Sequence, residues 1–331
     1  METLLLTGED VKELLNMDEV MAAVEEAFKE KGLGRVQMPA KSYLFYRKYG
    51  GDLRTMPAYL ESLDVSAVKV VNAHPENPLK HGLPTVMATI ILIDPKTGFP
   101  LAIMDGTIIT AMRTGAAGGI AAKYLARKDS KVVGMVGAGR QARTQLLALI
   151  TLYKNLDEVR VYDVFKGCRE AFAKEASELY SQIAKIKPVQ TAEEAVKGAD
   201  IVVTTTPSRQ PLVKDEWVSA GMHFNCIGAD APGKEEIDPL ILKRAKIVVD
   251  DWEQASHSGE INVPLAKGII SKEDIYGEIG EIIVGLKRGR TSNSEITVFC
   301  STGLAIQDAV TAKLVYDKAV TKGIGKVIKL V

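Results

Sequence analysis

Residues 132–145 read VVGMVGAGRQARTQ. An apolar run meets Gly137-Ala138-Gly139 and continues into a segment of helical composition. The spacing is G-x-G-x-x-A. Gly137 permits the tight turn, Gly139 lets a pyrophosphate approach the backbone, and Ala142 is small enough for a helix to pack on a sheet. A helix starting here offers free N–H groups, those of Arg140 and Gln141 among them, and a partial positive charge. The next strand-like run, EVRVYDV, is expected to end at Asp163, 26 residues after Gly137. A carboxylate there accepts hydrogen bonds from ribose hydroxyls and repels a 2′-phosphate. Val164, Phe165 and Lys166 follow, with no arginine at once, so NAD is expected rather than NADP. The competing reading is a tight strand–helix turn without a ligand.

Downstream, the texture alternates. KVVGMVG, EVRVYDV, AKIKPVQ, IVVTTT, HFNCIG, KIVVDD and ITVFC read as strands, with helices over 140–153 and 166–181. That alternation predicts a doubly wound parallel sheet of Rossmann type. Ligands of such sheets lie at the carboxyl ends of the strands. Three ends carry unusual polar residues: Thr204, Thr205, Thr206 and Ser208 around Pro207; Asp230 and Lys234 after Gly228 and Ala229; and Ser301 and Thr302 before Gly303. For the threonines, β-propensity and turn hydrogen bonding compete with ligand contact. For Asp230, a helix cap competes with proton transfer.

Upstream, about 130 residues precede the glycine turn. Thr7 with Asp10 approximates a capping box for a short helix. A second helix is expected after Asp18, with Val20, Ala23, Val24 and Phe28 on one face and Gly32 and Gly34 ending it. SYLFYR, LRTMPAYL, SAVKVVNAH, TVMATIILID and PLAIMDG then read as strands separated by turn formers, so this part is an α+β unit. IITAMRTGAAGGIAAKYLAR, rich in small residues, reads as a helix packed close to other backbone. The last amphipathic helix is GLAIQDAVTAKLVYDKAV.

The bulk figures narrow the classes. The 331 residues suggest two domains. The 42 basic and 42 acidic residues cancel, giving no field for nucleic acid or an anionic membrane. The longest apolar stretch, around TVMATIILI, has nine residues, against the roughly 18 of a membrane span. The acidic N-terminus lacks the basic start of a signal peptide. Cys168, Cys226 and Cys300 lie far apart without metal-ligand spacing, so neither a disulfide framework nor a metal site is expected, and a cytoplasmic location fits.

Together MRTGAAGGIAAKYLA, GAGRQA, TTTPS, IGADAPGK and STGLAIQD resemble the ornithine cyclodeaminase/mu-crystallin family over essentially the whole chain. GDLRTMPA, VNAHPENP with LPTVMA, and GEINV are most similar to its archaeal-type alanine dehydrogenases. The resemblance implies a substrate-binding and dimerisation domain, 1–125 plus 304–331, into which an NAD-binding domain, 126–303, is inserted, and a homodimer formed through the N-terminal domain. It places a substrate carboxylate on Arg54 and Arg113, substrate contacts on Lys69 and Thr85, and acid–base work on Lys69 and Asp230. Arginine suits a carboxylate because its fork donates two parallel N–H bonds. Lys69 lies between Val68 and Val70, so alternation puts it on the opposite face from them. It is then either a solvated surface lysine or a cleft lysine whose partial burial lowers its pKa.

The implied activity is reversible oxidative deamination of L-alanine to pyruvate and ammonia, with hydride leaving Cα. The rivals are cyclodeamination of L-ornithine to L-proline, reduction of a cyclic ketimine, and NAD(P)H-dependent binding without catalysis. Ornithine needs an acid for its distal ammonium, for which Glu61 and Asp64 are candidates. His74 and His257 are expected in loops, and His81 and His223 in structural or exposed places.

Overall fold

In the computed structural model, which describes residues 2–331, the chain divides into two compact units. One is Met1–Arg113 with Leu304–Val331, the other Thr114–Gly303. The boundary falls inside one continuous helix, Gly106–Leu125.

The first unit is built on an eight-stranded sheet in the order 326–328, 3–6, 100–105, 86–93, 65–73, 51–60 and 36–37, with 42–46 also paired to 51–60. Neighbours are antiparallel except 3–6 and 100–105. The expected meander is present. The strand Thr3–Leu6 was not expected, because TLLL shows no alternation by which to read it. Thr7 caps Gly8–Leu14: its hydroxyl accepts from Asp10 N–H at 3.3 Å and Asp10 accepts from Thr7 N–H at 2.8 Å. The second helix, Met17–Gly32, begins before the expected Asp18. Its cap is Asn16, whose Oδ1 accepts from Asp18 N–H at 2.8 Å.

Strand Val65–Ala73 alternates strictly over most of its length. Val65, Ala67, Lys69 and Val71 are buried, while Ser66, Val68, Val70 and Asn72 are half-buried. On the buried side the closing helix, Ala305–Lys322, packs across strands 51–60, 65–73 and 86–93 and against helices 8–14 and 17–32. Its small residues Ala305, Ala309, Ala312 and Ala319 let it lie close to the sheet. Gly323 ends it in the left-handed region, φ +67°.

The second unit holds an eight-stranded, wholly parallel sheet in the order 185–188, 158–162, 132–136, 201–204, 223–226, 296–300, 245–249 and 275–278. Strands 201–204, 223–226 and 296–300 are buried at every residue, as a sheet covered on both faces requires. Strand order reverses between 132–136 and 201–204, which is where this class of sheet opens a ligand crevice. The edge strand Ile275–Glu278 and the pair Arg209–Val213 with Glu235–Ile237 went unread, being only three to five residues long.

The small-residue helix does approach other backbone. A Cβ on Gly115 would lie 2.6 Å from the Thr144 carbonyl carbon, and one on Gly118 would collide with Gln145. Gln145 uses that closeness to donate to the Thr114 carbonyl at 2.8 Å, and Asn225 donates to the Gly118 carbonyl at 3.0 Å.

Candidate active site

In the second unit, strands 132–136, 201–204, 223–226 and 296–300 are parallel neighbours, so their carboxyl ends align along one edge. The glycine turn stands at the first end. Gly137 has φ +103°, and a Cβ there would fall 2.8 Å from Thr205 Oγ1. Both facts require glycine. Gly139 caps helix Arg140–Leu152 without a capping side chain, and a Cβ there would project into open space. The backbone at the start of this 13-residue helix can therefore be approached at Gly139, which is the fit an anionic pyrophosphate needs. Ala142 is fully buried, Arg140 is exposed and Gln141 half-buried. Arg143 was not foreseen: its Nη1 donates to the Ala138 and Gly139 carbonyls at 2.8 and 3.1 Å and ties the turn down.

Asp163 lies one residue beyond its strand, which ends at Tyr162. Its carboxylate accepts from Ala138 N–H and Phe165 N–H, both at 2.9 Å. It is therefore joined to the glycine turn, and each oxygen retains lone-pair capacity for a hydroxyl donor.

Two buried carboxylates that sequence reading missed hold the remaining loops from behind. Glu236 accepts from Thr206 N–H (2.6 Å), the Thr206 hydroxyl (2.7 Å), the Thr204 hydroxyl (2.8 Å) and Gly228 N–H (2.8 Å). It binds the ends of two strands together, and Gly228 must be glycine because a Cβ would meet Glu236 and the Thr206 backbone. Thr206 thus spends its hydroxyl internally, while the Thr205 hydroxyl leans 3.4 Å from the Gly137 carbonyl. Ser208 donates to the Gln210 carbonyl at 2.6 Å, and Pro207 is exposed. Asp250 plays the same part for the third loop. It accepts from Thr302 N–H at 2.6 Å, Gly303 N–H at 2.8 Å and the Thr302 hydroxyl at 3.1 Å, with Ser301 beside it. Below Glu236, Glu260 of the GEINV stretch accepts from Glu236 N–H and Ile237 N–H. Burial, then the charge of Glu236, pushes its carboxyl well above the usual range.

Ala229 is buried, whereas the Asp230 side chain keeps 39 % of its exposure and pairs with Lys234. No helix begins at Asp230, so the cap alternative is corrected: the 230–234 turn leads into strand Glu235–Ile237.

The first unit gathers a different set. On the helix-covered face of the sheet, Arg54 opposes Val71 and Met56 opposes Lys69. Lys69 is 1 % exposed, and its Nζ lies 2.6 Å from Asp308 Oδ2. The contact is an ion pair between buried groups. Asp308 Oδ1 accepts from Arg113 Nε at 2.9 Å, and Gln307 Oε1 accepts from Arg113 Nη1 at 2.9 Å. Arg54 forks onto Asp52 at 3.0 and 3.1 Å, with Tyr43 beneath its guanidinium. Burial first, then the Arg113 guanidinium, pushes Lys69 down to about 7, with Lys41 adding to the push and Asp308 opposing it. The solvated-lysine alternative is therefore corrected: the residue shares the helix-covered face with Val65, Ala67 and Val71.

Thr85 stands outside this set. Continuing the register of strand 86–93 backward, its carbonyl accepts from His74 N–H at 2.8 Å, opposite a residue of the other face. Asp52, Gln307 and Asp308 were missed. Glu61 and Asp64 occupy the far turn of the 51–60/65–73 hairpin, six to seven residues from Arg54 along the strand, roughly 20 Å at strand spacing. Among the histidines, His74 stacks on Tyr46 over Gly51. His257 lies in helix Trp252–Ser258, not in a loop, its Nδ1 2.7 Å from the Glu253 carbonyl. His223 is fully buried between Thr297 and Asn225, and burial lowers it to about 3. Among the described residues no acidic, histidine or cysteine cluster suits a metal, and no helix is long and apolar enough to cross a membrane.

A parallel sheet with a glycine turn at its switch point in one unit, and a buried arginine with a lysine near neutrality in the other, define a dinucleotide-dependent oxidoreductase. The chain belongs to the ornithine cyclodeaminase/mu-crystallin family, which it matches over residues 1–323. It is 57 % identical to an alanine dehydrogenase of Archaeoglobus fulgidus over 329 residues, covering 99 % of each chain. An archaeal alanine dehydrogenase solved as a dimer with bound NAD superposes with a TM-score of 0.95 at 55 % identity, covering 100 % of both chains. The Δ1-pyrroline-2-carboxylate reductase of Thermococcus litoralis, solved with NADH and L-proline, superposes with a TM-score of 0.95 at 45 % identity, covering 98 % of this chain and 100 % of that one.

Proposed function

We propose that the protein is an NAD-dependent amino-acid dehydrogenase that interconverts L-alanine with pyruvate and ammonia. The observation that carries this reading is the Lys69–Asp308–Arg113 cluster. It is buried, holds two cations for one carboxylate, and contains an amine that changes charge near pH 7. NAD, held through Gly137, Gly139, the helix at Arg140 and Asp163, supplies the hydride acceptor. Arg113 and Arg54 bind the substrate carboxylate and orient Cα, the contribution that positioning makes to most such rates. Neutral Lys69 accepts a proton from the water that adds to the substrate imine, a step worth roughly 10²- to 10⁴-fold. Asp230, half-buried in the turn that follows strand 223–226, is the second acid–base candidate, whereas Thr85, on the opposite face of the sheet from Lys69, has no part in this reading.

A small monoamine fits better than a diamine. Asp308 in the cluster and Asp52 beside Arg54 already face cations, and Glu61 and Asp64 lie at the distant turn. Reduction of a cyclic imino acid is the second reading, favoured by the likeness to the proline-bound reductase. The free thiols of Cys168, Cys226 and Cys300 support a cytoplasmic location. The test is an NAD-linked absorbance screen with L-alanine, L-ornithine, L-proline, and pyruvate plus ammonia. NADH formation with L-alanine is expected. Proline formed from ornithine without net NADH would replace the reading by cyclodeamination, and preferential turnover of L-proline by the reductase.

A further inference from the structure

We propose that Asp308 is the positioning residue of the amino-acid site, fixing Lys69 and Arg113 against each other and biasing the lysine toward its protonated form. The inference rests on the dehydrogenase reading for its catalytic consequence, not for its physical basis.

The geometry is specific. One carboxylate divides its oxygens between two cations from two elements: Oδ1 takes Arg113 Nε of helix 106–125, and Oδ2 faces Lys69 Nζ of strand 65–73. Asp308 comes from the first turn of the closing helix, where the positive end of the dipole favours a carboxylate. Gln307, one residue earlier, holds the same guanidinium at Nη1 while its Oε1 also accepts from Leu304 N–H at 3.2 Å. The helix N-terminus therefore fixes Arg113 at two points, and its remaining N–H bonds stay open to a carboxylate ligand. The charged groups facing Lys69 are Asp308 from the closing helix, Arg113 from helix 106–125 and Lys41 from the segment before strand 42–46. Across the strands its direct neighbours are apolar, Met56 and Ile90, and the Asp52–Arg54 pair lies further along strand 51–60. Asp308 is the one anion in this group that touches the lysine.

The sign follows. With Asp308 neutralised, Lys69 keeps its burial and two like charges and loses its counter-charge. The ammonium becomes harder to hold, and the titration moves to lower pH. In the enzyme, amino-acid oxidation rises as Lys69 loses its proton, so its rising limb lies near pH 7 in the native chain. The same limb moves to lower pH in Asp308→Asn.

The experiment titrates Lys69 by NMR in the full chain with 13C-labelled lysine, using Lys69→Arg to assign the signal, and measures amino-acid oxidation against pH in parallel. In Asp308→Asn the resonance is expected to titrate about one pH unit or more lower, with the kinetic limb following and KM for the amino acid raised. A resonance that titrates where the native one does, even with a lowered melting temperature, reduces Asp308 to a packing role and overturns the proposal. If the resonance shifts but the native chain turns over no amino acid with NAD, Asp308 keeps its role and the dehydrogenase reading fails. Asp308→Ser, which leaves room for water rather than an unpaired amide, is judged by the same criteria where Asp308→Asn does not fold.

Discussion

Arg113 is 5 % exposed yet carries a permanent charge, and the surrounding residues show why it is tolerated. Its Nε and Nη1 are each matched by an acceptor from the closing helix, so the guanidinium is anchored before any ligand arrives. Arg113→Leu removes both the anchor and the carboxylate donor. Losing one partner of a buried, hydrogen-bonded charge pair costs about 2–5 kcal/mol, so kcat/KM for the amino acid should fall by about 10²- to 10³-fold or more. NADH affinity, read by fluorescence titration, should stay within about threefold of native, since the glycine turn and the loops held by Glu236 and Asp250 lie in the other unit. Equal loss of both would remove Arg113 from the substrate site. Arg113 also pushes the Lys69 proton off, so the residual activity of this variant should show its rising limb above pH 7.

At the scale of elements, helix Gly106–Leu125 shows how a stripe of small residues becomes a contact. Gly115 lies against the Thr144 backbone, which cannot swing aside as a side chain can. Gly115→Ala should therefore destabilise the second unit by about 1–3 kcal/mol, a drop of several degrees in melting temperature, despite alanine's better helix propensity. At Gly118 the three nearest atoms all belong to the far end of the Gln145 side chain, so Gly118→Ala should cost less; a reversed order in differential scanning calorimetry would refute the backbone argument. This closeness was legible as composition, as were the glycine turn, the alternation of strand and helix, and the meander. Legibility failed where periodicity was lacking or partners were remote. TLLL at residues 3–6 has no period. Asp308 and Gln307 sit within an otherwise apolar helix face, and their partners lie 194 to 239 residues away. Glu236 and Asp250 likewise reveal their role only once the strand ends they bind are neighbours. Lys69, Arg54 and Arg113 were nameable through the family resemblance. Alternation alone placed Lys69 on a face without showing that a helix covers it.

At the scale of the whole molecule, the first unit's sheet has two unlike faces. One receives the closing helix and contains Lys69. On the other, the register aligns Pro57, Val68, Ile91 and Ile103 in a row across four strands, with Val70, Ile93 and Leu101 around it, all only half-buried. A half-buried apolar row on a β-sheet is the kind of surface that marks a protein–protein contact. A second copy of the chain laid on this row would bury it. A two-fold arrangement would bring the same row from each copy together. Sedimentation velocity should then give a species of twice the 35.8 kDa chain. Ile91→Lys places a charge in the middle of the row, where burial without a partner costs several kcal/mol. It should weaken the dimer by at least about 10²-fold. Val331→Lys, an exposed change at the chain end, should leave it intact. A dimer that survives Ile91→Lys unchanged would place the subunit contact elsewhere. A monomer that forms while the Lys69 resonance stays in place would show that the sheet's two faces serve pairing and chemistry separately.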